Sequence, residues 1–87
     1  MSKKAKLLAK FCKVPPPKDF RWEEMVLVMN HLGFDLDMSG GSSHGHFVLR
    51  SDPNRVIDIY RPHPSGIMYA KQLTATIEKL KEWGVLP

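Results

Sequence analysis

Two histidines, His44 and His46, lie two residues apart in the stretch GGSSHGHFVLR, directly behind four small residues. Histidine is the side chain that ordinarily changes its charge close to neutral pH, so an imidazole can both accept and donate a proton under physiological conditions. One well-placed acid or base contributes about 10²–10⁴-fold to the rate of a reaction. The pair is therefore a candidate site for proton transfer.

Cleavage of an RNA strand without a metal is a reaction that such a site can support. The 2′-hydroxyl attacks the adjacent phosphorus, which requires a base for the hydroxyl proton and an acid for the leaving 5′-oxygen. His44, placed at the start of a predicted strand, can serve in either role. Gly40, Gly41 and Gly45 carry no side-chain bulk, which favours a close approach of a phosphate to main-chain N–H groups.

Strand alternation predicts which side chains accompany His44. His46 and Arg50 share its face, so His46 can share the proton transfer and Arg50 can hold a phosphate. In the next strand the same parity exposes Asp58 and Tyr60, and either can hydrogen-bond a histidine, depending on a register that the sequence does not give.

Further phosphate-binding candidates lie in the turn RPHP, where Arg61 and His63 flank the first proline. A zinc site made of His44, His46 and His63 is the competing hypothesis. A pair spaced i, i+2 on a strand, without cysteine or an obvious carboxylate companion, is a weak match to the usual zinc-ligand spacings. We therefore expect no metal and no other cofactor.

The positive charge of the chain is concentrated at its N-terminus. The net charge is +4, and residues 1–18 hold six lysines and no acidic residue, so the remainder is slightly acidic. Leu7, Leu8 and Phe11 have helical spacing within this segment, which ends at three prolines. We interpret residues 1–18 as a solvated helical arm or frayed tail, with an arm that touches nucleic-acid phosphates as the alternative.

The apolar run of that segment is too short for a signal peptide or a membrane span, so we expect no membrane contact. A single cysteine, Cys12, excludes an internal disulfide framework. A reducing compartment, the cytoplasm, is the simplest expectation.

After the prolines the periodicity changes from helical to alternating and back. Apolar spacing predicts a helix over roughly 21–32, strands near 34–38, 46–50 and 56–60, and a helix near 69–83. The predicted fold is α+β, an α-β-β-β-α arrangement in which two helices cover one face of a three-stranded antiparallel sheet, as in double-stranded-RNA-binding domains. The predicted core residues are Trp22, Met25, Met29, Phe47, Leu49, Ile57, Ile59, Leu73, Ile77 and Leu80, with Tyr69 on the stripe of the last helix.

Residues 19–87 resemble the HicA toxins of type II toxin–antitoxin systems. The resemblance is carried by NHLGF at the end of the first predicted helix, by SSHGHF, by RPHPSG and by KEWGVL at the end of the last helix. HicA proteins are small endoribonucleases of double-stranded-RNA-binding fold that cut messenger RNA and are neutralised by a HicB antitoxin. The resemblance implies that His44 is the catalytic histidine and that Ser43, which precedes it in the matching motif, contacts the substrate.

The chain also departs from the family, and one departure is Ser42, which stands where a glycine is common. Usual HicA proteins lack the lysine-rich segment, and they often enter the last helix with a Lys-Pro-Gly-Thr-like stretch where this chain has IMYAKQL. A non-catalytic RNA-binding module of the same fold is therefore the alternative to the endoribonuclease.

Overall fold

The computed structural model describes residues 3–38, 43–63 and 65–87, which form three helices and one sheet. After the first helix the element order is α-β-β-β-α, so the predicted α+β arrangement is confirmed. The helices are α1 (Lys3–Phe11), α2 (Trp22–His31) and α3 (Ala70–Glu82), and the strands are β1 (Phe34–Asp37), β2 (His44–Leu49) and β3 (Val56–Tyr60).

The sheet has the order β1-β2-β3, and both strand pairs are antiparallel. Phe47 in β2 lies opposite Leu36 of β1 and Ile57 of β3. Because successive side chains of a strand point to opposite faces, this register gathers the apolar side chains on one face. The other face carries the residues of opposite parity and is open to solvent.

Local sequence determines where α2 and α3 end. Gly33 follows α2 with a φ of 97°, and Gly84 follows the C-cap of α3 with a φ of 74°. Glycine adopts this left-handed conformation without the steric cost of a Cβ atom. At the start of α2 the Glu24 carboxylate accepts a hydrogen bond of 3.0 Å from the backbone N–H of Arg21, which satisfies one of the donors that a helix N-terminus leaves unpaired.

α2 packs against β1, α3 packs against β3 and α1 packs against α2, and their buried side chains form one core. Leu49 and Ile77 are only partly buried, although both were predicted to lie in the core. Tyr69 is 57% exposed, contrary to its predicted place on the helical stripe, because its backbone is still extended at the N-cap of α3. The other predicted core residues are confirmed as buried: Trp22, Met25, Met29, Phe47, Ile57, Ile59, Leu73 and Leu80.

The lysine-rich segment packs against the rest of the fold. Phe11 at the end of α1 is fully buried, and its ring centroid lies 5.5 Å from that of Phe20. Lys10 Nζ lies 3.1 Å from the Glu24 carboxylate on α2. The interpretation of a solvated arm or frayed tail is therefore wrong for the apolar side of this helix, because that side completes the core. The domain boundary predicted at residue 18 stays a prediction.

A membrane crossing requires a helix longer and more apolar than any that the described residues form.

Candidate functional site

Both histidines lie within the sheet, because β2 begins at His44, two residues earlier than predicted. His44 is paired in register with Tyr60 of β3, and His46 is paired with Asp58. These residues belong to the open face. The side chains of His44 and His46 are 39% and 43% exposed, so both imidazoles are accessible while the paired strand fixes their backbone.

Asp58 and Tyr60 each contact one of the histidines. His46 Nδ1 lies 2.7 Å from Asp58 Oδ1, a hydrogen bond in which the ring N–H donates to the carboxylate. This contact places the proton of His46 on Nδ1 and leaves Nε2 for other partners. The ring of Tyr60 stacks on His44 at 4.7 Å between centroids. The register thus answers the question that the sequence left open, since Asp58 hydrogen-bonds His46 whereas Tyr60 stacks on His44.

The two imidazoles lie close to each other, and the Asp58 carboxylate that His46 contacts is also near His44. Their ring centroids are 5.0 Å apart in an edge-to-face arrangement. His44 Nε2 lies 3.9 Å from Asp58 Oδ1. Two imidazole rings are therefore adjacent on an accessible surface.

Three of the residues predicted to contact substrate meet at the end of the sheet where β2 begins. Ser43, Arg61 and His63 line one surface depression of about 570 Å³, together with Met38. The backbone N–H of Arg61 donates a 2.7 Å hydrogen bond to the carbonyl of Ser43, which continues the β2–β3 pairing by one step. Among the described residues, Arg61 forms no ion pair with a carboxylate, so its charge is available to an anionic ligand.

Arg50 is not brought together with these residues. It lies beyond the opposite end of β2, six positions from His44, which corresponds to about 20 Å along an extended chain. Its Nε donates to Asp35 Oδ1 at 2.9 Å, and its guanidinium also reaches the carbonyl of Phe34 at 3.3 Å. The same guanidinium lies 3.4 Å from the carbonyl of Asn30 in α2. These contacts tie the end of α2 and the start of β1 to the β2–β3 turn, which is a structural role.

Gly45 serves packing on the opposite face of the sheet. A Cβ at this position would overlap Met38 Sδ and come within 3.1 Å of the carbonyl oxygen of Asp37. The expectation that Gly45 makes room for a phosphate is therefore wrong, because alternation directs its missing side chain away from His44 and His46. Gly40 and Gly41, to which the same expectation applied, lie outside the described residues.

Cys12 lies in a different region and is poorly suited to nucleophilic chemistry. It lines a depression that includes Ile77 and Lys81. Burial raises the pKa of the Cys12 thiol, an effect that the positive charge of Lys81 opposes. The thiolate is the nucleophilic form, so the raised pKa reduces the reactive fraction at neutral pH.

The histidines have a carboxylate companion, Asp58. The sequence argument against a metal assumed that no obvious carboxylate accompanied them, and this assumption is wrong. One ligand atom from each of His44, His46 and Asp58 lies within 4.8 Å of the others. His63, the third imidazole considered from the sequence, is not part of this group. The parity of β3 predicted that Asp58 is exposed, but only the register shows which histidine it meets.

Comparison with known proteins gives no match to a protein-family model, to a curated protein or to a solved structure. The resemblance to HicA toxins thus stays a hypothesis that depends on the residues of the chain.

Proposed function

We propose that the protein is a HicA-like endoribonuclease, the toxin of a type II toxin–antitoxin pair, which cleaves messenger RNA without a metal. The observation that supports this most directly is the placement of His44 and His46 side by side on the open face of the sheet, with ring centroids 5.0 Å apart. Strand cleavage through the 2′-hydroxyl requires one base and one acid near the same phosphate, and two adjacent imidazoles supply both.

In the proposed reaction His44 accepts the proton of the 2′-hydroxyl as this oxygen attacks the adjacent phosphorus. His46, with a proton on each ring nitrogen at this stage, donates the Nε2 proton to the 5′-oxygen as the bond between phosphorus and that oxygen breaks, and it keeps the Nδ1 proton that is hydrogen-bonded to Asp58. The products are a 2′,3′-cyclic phosphate on one fragment and a 5′-hydroxyl on the other. Asp58 acts as a positioning residue, because its hydrogen bond to Nδ1 of His46 directs Nε2 of the same ring towards substrate.

We assign the substrate phosphates to the depression that Ser43, the residue before His44, helps to line. Arg61 and His63 line it and supply donors for phosphate oxygens, with Arg61 offering two N–H groups in one plane. Ser43, which directly precedes His44, contributes a hydroxyl to the same depression. Phosphates held there would fix the RNA backbone at the end of the sheet where β2 begins, and positioning of the substrate is a large part of catalysis by proton transfer.

The proposed partner is a HicB-like antitoxin that covers the His44 face and thereby excludes RNA. Messenger RNA and the antitoxin meet in the cytoplasm, which is the location that we propose. Expression of the protein alone should slow the growth of the host cell, and coexpression of the antitoxin should restore it.

The test is cleavage of a defined messenger RNA by the purified full chain and two variants, in the presence and absence of chelator. We expect His44→Ala to abolish cleavage and to keep the fold by circular dichroism, because an exposed polar side chain contributes little to stability. His31→Ala is the matched control, since His31 is exposed at the end of α2. This variant should cleave the RNA at the wild-type rate.

The ends of the products discriminate between the mechanisms. A 2′,3′-cyclic phosphate that forms equally with chelator supports the proposal. Full activity of a folded His44→Ala protein contradicts it. RNA binding without cleavage by the wild-type chain favours the non-catalytic RNA-binding module instead.

A further inference from the structure

The cluster of His44, His46 and Asp58 has a second chemical property besides proton transfer. Two imidazole nitrogens and one carboxylate oxygen converge within 4.8 Å on the open face of the sheet. His46 Nδ1 and His44 Nε2 lie 2.7 Å and 3.9 Å from Asp58 Oδ1. Ligand atoms of a tetrahedral zinc ion lie about 3.3 Å apart, given bonds of about 2.0–2.1 Å to the metal.

We propose that His44, His46 and Asp58 form a binding site for Zn²⁺. The two measured separations lie on either side of the ideal value, so small side-chain rotations suffice to bring the three ligands to one ion. Their backbone positions need not change, because the residues are held on adjacent paired strands. Three protein ligands leave the fourth position of the ion to water.

The nature of the ligands favours zinc over the hard cations. Mg²⁺ and Ca²⁺ prefer oxygen ligands, whereas imidazole nitrogen suits Zn²⁺ and its neighbours in the first transition row. The surrounding charge also favours a cation, because Asp37 of β1 is paired in register with His46 on the side opposite Asp58. His46 is therefore flanked by a carboxylate on each neighbouring strand.

Occupation of this site has a regulatory consequence, which rests on the proposed nuclease function. Each imidazole bound to zinc uses a nitrogen lone pair for the metal, and the ion replaces the proton between His46 and Asp58. His44 and His46 can then no longer exchange protons with RNA. Zinc binding thus inhibits the cleavage that the metal-free protein performs.

Binding is tested without any RNA. Isothermal titration calorimetry of the purified, metal-free full chain with zinc chloride should give one ion per chain. His44→Ala, His46→Ala and Asp58→Ala should each weaken binding by about tenfold or more, as the loss of a metal-site residue commonly does. His31→Ala and His63→Ala are the controls and should bind as the wild type does. Absence of binding to the wild type, or equal binding by all variants, overturns the proposed site.

A spectroscopic measurement supports the assignment of ligands. Co²⁺ in place of Zn²⁺ should give the intense visible absorption of a tetrahedral ion with the wild type, and this absorption should disappear in Asp58→Ala. The same absorption in Asp58→Ala contradicts the assignment. Circular dichroism establishes that the variants remain folded.

The inhibition is tested separately, with stoichiometric zinc added to the cleavage reaction and then removed by chelator. Loss and recovery of cleavage support it. If zinc binds through the three residues and the metal-free chain does not cleave RNA, the proposed function fails and the metal site stands. Unchanged cleavage by zinc-loaded protein overturns the regulation, and activation by zinc overturns both the regulation and the metal-independent mechanism.

Discussion

Asp58 on β3 accepts a hydrogen bond from His46 on β2, with 2.7 Å between Oδ1 and Nδ1, and the two residues are direct partners in the strand register. The contact therefore depends on the pairing of the strands and not on a flexible loop. A shift of one residue in this register would move Asp58 to the buried face. The orientation of His46 and the correct pairing of the sheet are thus determined together.

Removal of the Asp58 carboxylate should lower RNA cleavage without changing RNA affinity. We expect kcat to fall in Asp58→Ala by less than the roughly 10²–10⁴-fold that one acid or base contributes, because His46 is still present but loses its orientation, while KM stays constant. Asp58→Asn should recover part of the rate, because its side-chain carbonyl still accepts a hydrogen bond. Asp35→Ala, which removes another exposed carboxylate of the open face, is the control. A proportional rise in KM would point to substrate binding instead.

The proton donated by His46 can be tested with a modified RNA. A substrate in which sulfur replaces the bridging 5′-oxygen has a leaving group that requires no acid. His46→Ala should therefore cleave this RNA at nearly the wild-type rate and ordinary RNA slowly, whereas His44→Ala should cleave neither. Equal defects of His46→Ala on both substrates would exclude the acid role.

The two faces of β2 should respond differently to truncation. Phe47 is fully buried, so Phe47→Ala should destabilise the fold by about 3–5 kcal/mol through the cavity that it leaves. Val48, its neighbour on the open face, is the control, and Val48→Ala should cost less than about 1.5 kcal/mol. Urea denaturation measures both values. Similar costs at the two positions would contradict the assignment of the faces.

An added methyl group at Gly45 should destabilise the fold through Met38. The Cβ of Gly45→Ala would overlap Met38 Sδ and approach the Asp37 carbonyl at 3.1 Å, so we expect a cost of about 1–3 kcal/mol from overpacking. Met38→Ala should relieve most of the overlap, and the double variant should be more stable than the sum of the two single effects predicts. Thermal melts of the four proteins give the coupling. Additive effects would show that Met38 does not occupy this space.

The two arginines that the sequence assigned to phosphate should behave differently. Arg61→Ala should raise KM for RNA, because Arg61 lines the depression next to His44. Arg50→Ala should leave cleavage unchanged and lower stability by up to about 1 kcal/mol, the usual range for an exposed ion pair such as that with Asp35. Steady-state kinetics and urea denaturation of both variants provide the comparison. A raised KM in Arg50→Ala would place RNA along the whole of β2.

Periodicity was sufficient to predict the order of the elements after α1 and most of the core, because the apolar positions of each element have a single consistent period. It could not predict that Phe11 joins that core, since the lysines around it are equally typical of a solvated helix. For the site, parity predicted that Asp58 is exposed, but its contact with His46 depends on the pairing of two strands. Arg50 was misplaced because shared parity indicates a shared face and carries no information about distance along it.

The burial of Phe11 imposes a constraint on the part of the chain that holds most of the positive charge. Lys3, Lys4 and Lys6 are exposed, and replacing them leaves the packing intact. Phe11 is enclosed by other core side chains and fits beside Phe20, so a polar residue there would weaken the whole domain. The charge of the N-terminal residues can thus vary, provided that the aromatic ring of Phe11 is kept. A fragment that begins after the prolines would lack this ring and would expose the apolar surface that it covers.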